Sequence, residues 1–425
     1  MIKKLFTILF LVLITTSILV SQTSDTLMSS KPKKGEIERS GGFARVQSMG
    51  LNPYIIDPYY MTVNPAWASV YYDFLWGDLG RTATAFQNDG SGEFAGFNFK
   101  ISNDLVLGAM LTRDDFSNQF SIGSLSAANT LITQINNIIP AGTQVVALNN
   151  NLEVLAAFNL GKFSIGLGVS YAGSTNQNNP ATGASTEASA SQIGINAGVV
   201  THTNLVKLDA SAAILMPSAS YTAPNVKETK VSQTFIQAQA RVFYKLSTKF
   251  SLVPSATFVT SSGTADNAGT SSDLPSTMMF IVGLGLSYEV GDVLVAGGPA
   301  FIYNSTTTKG LNGAADQTDA TTLFPVWNVG VEWNIAEWMV GRFGYIASTQ
   351  KTTNQSLVPT DPTKINETVI TSYLANQAVV GIGFKIGRLS LDGTVNVDVL
   401  RQGLANLGNA AAGPTFAYLS LSFGF

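Results

Sequence analysis

The chain has 425 residues, a formal net charge of −3 and no cysteine. Charged residues make up 12% of it, about half the share usual in soluble proteins, while 45% are hydrophobic and 39 are glycine. The balance excludes a basic nucleic-acid face, and the missing cysteine excludes disulfides, thiolate metal centres and cysteine nucleophiles.

Lys3 and Lys4, the apolar run Leu5 to Val20 and the small-residue site Leu19-Val-Ser21 before Gln22 predict a signal peptide over 1–21. A retained membrane anchor is the alternative, since the run is near the lower length limit of a spanning helix. Residues 22–39 are polar, carry Lys31-Pro-Lys-Lys34, and read as a flexible periplasmic leader.

Residues 40–76 change character. Pro53, Pro58 and Pro65 deny long strands and long helices, yet the segment is rich in aromatic and aliphatic side chains and must be buried against something. It reads as an N-terminal plug or hatch segment. Asp57 and Asn64, each followed by proline, are expected to cap short helical turns.

From residue 77 to 425 the pattern is that of one antiparallel transmembrane β-barrel, an all-β fold. Phe163, Ile165, Leu167, Val169 and Tyr171 alternate with serine and glycine alone. The same period of two recurs around Phe97, Ile193, Val206, Val242, Val282, Val329 and Leu389, a strong strand signal. Short connections such as Leu160-Gly-Lys162, Ser247-Thr-Lys249, Gly291-Asp292 and Gly387-Arg388 alternate with long ones: 116–150, 174–186, 217–230, 263–275, 305–322, 350–372 and 402–414. Tight periplasmic turns and longer outer loops are the outer-membrane arrangement. In the first long loop, Leu131 to Ile139 is apolar and is expected to fold inward or lie on the rim. Counting back from Phe425 gives sixteen strands, or fourteen without Arg81–Asn88 and Glu93–Ile101, which meet at Asp89-Gly90. Trp333, Trp338 and Phe343 flank one short turn, and Tyr171, Tyr288, Tyr303 and Tyr345 lie toward strand ends, as in an aromatic girdle. The last segment, Thr415 to Phe425, has Ala417, Leu419, Leu421, Phe423 and Phe425 on one face and Tyr418, Ser420, Ser422 and Gly424 on the other. An apolar face toward lipid requires neighbours on both edges, hence closure.

No catalytic constellation is present, and the chain does not read as an enzyme. The single histidine, His202, lies in a short turn and is expected to be solvent-exposed, with Asp114 and Asp115 at the far end of a strand. Metal-ligand spacing is absent, and no cofactor is implied. Inward-facing charges of both signs, Arg241, Lys245, Glu289, Glu332, Lys385, Arg388, Asp392 and Asp398 with Lys207 and Asp209, suit a salt-bridge network fixing register and plug better than a selectivity filter.

Arg45-Val-Gln-Ser-Met-Gly50, Asp57-Pro58 and Asn64-Pro-Ala66, ahead of glycine- and aromatic-rich strands, resemble the FadL-like outer-membrane superfamily, most closely its PorV-type branch. In place of the branch's small residues after Met-Gly, this chain has Leu51-Asn-Pro-Tyr-Ile-Ile. The resemblance implies a plugged barrel of fourteen strands in the outer membrane of a Gram-negative cell. It also implies transport of hydrophobic compounds or, on the PorV-type alternative, a carrier or scaffold role among type IX secretion-system proteins. The expected partners are outer-membrane lipid and a hydrophobic small-molecule ligand, bound by plug residues Phe43, Met49, Tyr54, Ile55, Ile56, Tyr59 and Asn64.

Overall fold

A computed structural model describes residues 41–79, 93–113, 120–140, 142–203, 205–373, 377–395 and 416–425. The signal peptide, the leader, the Arg81–Asn88 strand with its Asp89-Gly90 turn, Asp114, Asp115 and Asp398 lie outside the described residues.

The strands are β1 Phe74–Leu79, β2 Phe94–Lys100, β3 Leu105–Arg113, β4 Asn150–Asn159, β5 Phe163–Asn178, β6 Thr186–Thr201, β7 Val206–Thr222, β8 Thr229–Lys245 and β9 Phe250–Asn267. They continue as β10 Thr270–Asp273, β11 Ser276–Val290, β12 Val293–Thr308, β13 Gln317–Ala336, β14 Met339–Val358, β15 Asp361–Tyr373, β16 Gln377–Ile386, β17 Leu389–Val395 and β18 Phe416–Gly424. Every pairing is antiparallel, and β18 returns to β1, so the sheet has no open seam. Sixteen strands make the circuit, with β9 paired to β11 and β14 paired to β16. β10 and β15 stand outside it, as outer stretches laid against β9 and β14.

The barrel thus has sixteen strands, not the fourteen implied by the resemblance. It closes through Phe74–Leu79, whose first three residues lie in the span assigned from sequence to the plug. Phe74, Trp76 and Asp78 face inward and are buried, whereas Leu75 and Leu79 face outward and are exposed. Beyond the last proline of the 40–76 segment, nothing prevents that stretch from extending and pairing with both β2 and β18.

Which side is oily is plain along β5. Phe163, Ile165, Leu167, Val169 and Tyr171 are exposed, while Ser164, Gly166, Gly168, Ser170 and Ala172 are buried. The outward apolar run ends at Tyr171; Gly173, Thr175 and Gln177 follow on the same face. From Phe163 to Tyr171 is the length a tilted strand needs to cross a hydrocarbon layer, roughly 9–11 residues. Exposed Phe163, Tyr244, Tyr288, Trp333, Trp338, Phe423 and Phe425 gather at the short-turn end and form one girdle. No helix among the described residues is long and apolar enough to span a membrane. Arginine in place of Leu167, at the centre of the belt, is expected to cost about 2–4 kcal/mol of folding free energy into lipid vesicles. Denaturant titration of the refolded variant measures it.

Four of the connections predicted as long loops, 217–230, 263–275, 305–322 and 350–372, are largely strand, and 402–414 lies outside the described residues. β14 runs to Val358 and β15 returns from Asp361, so the predicted 350–372 loop is a hairpin; β7, β8, β9, β12 and β13 likewise extend into the predicted loops. Above the hydrocarbon layer both faces of a strand meet water or other polar groups. The apolar period then vanishes while Thr- and Ser-rich strand pairing continues.

Candidate functional site

Three inner layers lie inside the barrel. The lowest, in the short-turn half, is the segment 41–72. Its helix α1, Phe43–Ser48, carries buried Phe43, Ala44, Val46 and Ser48. Two 3-10 turns follow, η1 Pro58–Thr62 and η2 Pro65–Ser69. Asp57 accepts from the Tyr59 N–H at 2.8 Å and Asn64 from the Ala66 N–H at 3.0 Å, with proline at the first helical position of each turn, as expected from sequence.

This segment touches the wall on opposite sides. Ala44 N–H donates to Ser420 Oγ at 2.8 Å, and Asn52 Nδ2 donates to the Ala296 carbonyl at 2.7 Å. Asn328 Nδ2 donates to the Gly50 carbonyl at 2.7 Å. Tyr54 lies over Gly283 and Gly285, Ser48 over Gly381, and Asn64 over Gly198. Glycine there lets the inner backbone approach the sheet.

Two charge clusters hold it. In the first, Arg45 bonds Glu332 at 2.7 Å and Asp57 at 3.0 Å; Arg342 bonds the same Glu332 oxygen at 2.6 Å and Asp392 at 2.6 Å. The charges alternate along Asp57, Arg45, Glu332, Arg342 and Asp392, so each guanidinium meets two carboxylates in a dry interior. Burial pushes the Asp57 carboxyl up to about 6, against the pull of Arg45 and the Tyr59 N–H. In the second, Arg241 Nε donates to Asp209 at 2.9 Å, and its Nη1 to the Pro53 and Ile55 carbonyls at 2.9 and 3.1 Å. Asn64 Nδ2 adds a bond to Asp209 at 2.6 Å, and the Arg241 guanidinium lies 3.5 Å from the Tyr60 ring centroid.

Around these clusters sits an aromatic core: Phe43 against Tyr59 and Tyr418 at 5.0 and 4.7 Å between centroids, then Trp67, Tyr71, Phe74, Trp76 and Phe94 in sequence. Of the predicted ligand residues, Phe43, Met49, Tyr54, Ile55, Tyr59 and Asn64 are buried and Ile56 is partly buried. They pack on one another and on the wall rather than around an open pocket. Of the predicted lumen charges, Arg241, Glu332 and Asp392 are paired inside. Lys385 is half-buried, and Lys245, Glu289 and Arg388 are exposed toward the short-turn end.

The middle layer is the stretch 120–125, which crosses the inner face of β3–β8. Thr112 donates to the Gly123 carbonyl at 3.0 Å, Ser170 to the Ile122 carbonyl at 2.8 Å and Gln192 to the Ser124 carbonyl at 2.8 Å; Gln237 of β8 reaches the Phe120 carbonyl. Above it, helix α2, Ser126–Asn136, buries Ala128, Leu131, Ile132 and Ile135 against Ala172, Ala188, Ala190, Ala219 and Val231. Of the two positions open for Leu131–Ile139, the chain takes the inward one. Small alanines on β5–β7 make room for it. Sequence reading missed the 120–125 crossing because its bonds are made by backbone carbonyls, which carry no side-chain signature.

His202 is half-buried, not solvent-exposed. Its Nε2 lies 2.6 Å from Ser164 Oγ, and burial, aided by Lys207, lowers its pKa below the usual histidine range. The strand partner of Thr201, Phe163, brings Ser164 beneath it. Among the described residues no carboxylate bonds the other ring nitrogen, so the pair lacks the orienting acid of a nucleophilic triad.

No protein-family model matches the chain, and no curated protein matches it. Solved structures with a similar course of chain include the Pseudomonas putida toluene transporter TodX, at TM-score 0.38 and 11% identity, covering 90% of this chain and 98% of that one. A Pseudomonas aeruginosa FadL homologue aligns at TM-score 0.38 and 11% identity over 88% and 96%. The FrpB iron transporter of Neisseria meningitidis aligns at TM-score 0.39 and 8% identity over 78% of this chain; the chain spans 62% of that protein. Likenesses this distant assign neither family nor ligand.

Proposed function

We propose that the chain is an outer-membrane barrel whose segment 41–72 is an internal plug, and that it binds or passes hydrophobic small molecules. The observation that carries this reading is the aromatic core inside the bore. A sheet lined largely by serine, glycine and asparagine encloses Phe43, Tyr59, Tyr60, Trp67 and Tyr71, and adds Phe74, Trp76 and Tyr418 from its own inner face. Aromatic side chains packed between fixed charge clusters suit an apolar ligand held by a small number of polar groups. No step in this function needs catalysis, a metal or a cofactor. Titration of the purified protein with toluene and with a long-chain fatty acid, read by indole fluorescence, tests it. Trp67 and Trp76 are the two tryptophans within the core. Saturable quenching by at least one ligand, together with faster uptake by expressing cells, is expected; neither effect with either ligand overturns the reading.

The dense packing of 41–72 against the wall favours a second reading, a PorV-type carrier or scaffold for exported proteins. It predicts co-purification of exported or secretion-system proteins and a barrel that stays impermeable to small solutes.

A further inference from the structure

Between the lowest and middle layers lies a buried carboxylate that neither cluster uses. Glu153, on β4, has no exposed surface, and its carboxylate oxygens meet no donor at full hydrogen-bond geometry, with the neutral Asn196 amide close by. Asn196 of β6, 1% exposed, is beside it: a Cβ built on the intervening Gly168 would fall 3.1 Å from Glu153 Oε1 and collide with Asn196 Oδ1. Neither side-chain atom of Asn196 has a partner. Two more buried amides lie on the next inward rung toward 120–125. Asn151 spends its Nδ2 on the Ile122 carbonyl at 3.2 Å, and Gln192 its Nε2 on the Ser124 carbonyl at 2.8 Å. Their Oδ1 and Oε1 remain without partners. Ser170, opposite Glu153 in the ladder, likewise gives its hydroxyl proton to Ile122.

The orphaned atoms are therefore nearly all acceptors: two carboxylate oxygens and three amide oxygens, against the single Asn196 Nδ2 donor. A buried anion without a counter-charge is costly, and orphaned acceptors add to the penalty. On the described inward faces of β3–β6 and in 120–125 there is no lysine, arginine or histidine to supply the charge. We propose that Glu153, Asn196, Asn151 and Gln192 form a binding site for a monovalent alkali cation. One carboxylate neutralises one positive charge, and neutral amide oxygens complete an all-oxygen shell suited to a hard ion. Because the amide nitrogens of Asn151 and Gln192 hold the 120–125 crossing, the ion fixes that crossing to β4 and β6. The site stands independently of what the barrel carries.

The test compares the full-length protein in detergent in N-methylglucamine chloride, whose cation is too bulky to enter, with NaCl, KCl and RbCl at equal ionic strength. The expected result is an unfolding temperature several degrees higher in at least one alkali salt. That rise should vanish in Glu153→Gln, which keeps the shape and removes the charge. Crystals soaked in rubidium are expected to give an anomalous peak between Glu153 and Asn196. Equal unfolding temperatures in every salt with no such peak overturn the proposal, as does a rise that persists undiminished in Glu153→Gln. If that variant does not fold, the wild-type salt series and the rubidium peak decide.

Discussion

Glu332→Gln is expected to loosen the inner segment more than any other single change of charge. Its Oε2 accepts from both Arg45 and Arg342, at 2.7 and 2.6 Å, its Oε1 accepts from Arg45 at 3.0 Å, and all three side chains are nearly dry. Removing the negative charge leaves two guanidinium groups under-compensated, and breaking such buried pairs costs about 3–5 kcal/mol. Arg45 keeps Asp57 and Arg342 keeps Asp392, so the barrel itself is expected to fold. The loss should appear as protease cleavage within 41–72 and a lower temperature of heat-induced unfolding on gels. A triple variant with Arg45, Glu332 and Arg342 all replaced by methionine or leucine should recover much of it, because no charge is then stranded. Unchanged cleavage and unfolding in Glu332→Gln would show that the cluster does not anchor the segment. If the segment is a plug, planar-bilayer conductance rises in the same variant.

Gly344→Val tests the seat from the wall. A Cβ on Gly344 would lie 2.7 Å from Met49 C and from the Ser48 carbonyl oxygen, and one on Gly330 would lie 2.6 Å from the Met49 carbonyl oxygen. These are backbone atoms at the end of α1, so no rotamer change relieves them. The ladder of β13 and β14 accepts valine readily, which directs the strain onto the inner segment. Overpacking costs about 1–3 kcal/mol where side chains can yield, and more is expected here. Cleavage of 41–72 with an intact, heat-modifiable barrel is the expected outcome. Gly341→Ala, on the outward face and near only the flexible Ile335 side chain, is the control and should stay within about 0.5 kcal/mol. Equal behaviour of the two variants would mean that α1 does not dock as described.

Much of this architecture was legible in the residues, for a physical reason. Ser164 to Ala172 and their apolar neighbours record which side of a strand meets lipid, because hydrocarbon tolerates no exposed polar side chain. Asp57-Pro58 and Asn64-Pro65 spelled out their turns locally. What failed to show was everything set by register across the bore. Glu332 and Arg342 face one another because of how β13 and β14 pair, and Glu289 and Lys245, equally charged, end up at the rim. Glu153 carried no mark distinguishing it from a surface glutamate. Above the belt, Thr- and Ser-rich strands such as β15 looked like loops, since a strand wet on both faces has no periodic hydropathy to read.

The place where the sheet joins itself has a bearing on biogenesis. Phe43 N–H bonds Asp78 of β1 at 3.4 Å, Ala44 N–H bonds Ser420 of β18 at 2.8 Å, and Thr394 of β17 bonds the Ala44 carbonyl at 3.1 Å. The cradle for α1 is thus assembled from the first and last strands of the described sheet and does not exist while either is still unzipped. Occupation of the interior and completion of the cylinder are one event, so a chain released before its final strand is inserted has nowhere to lodge its beginning.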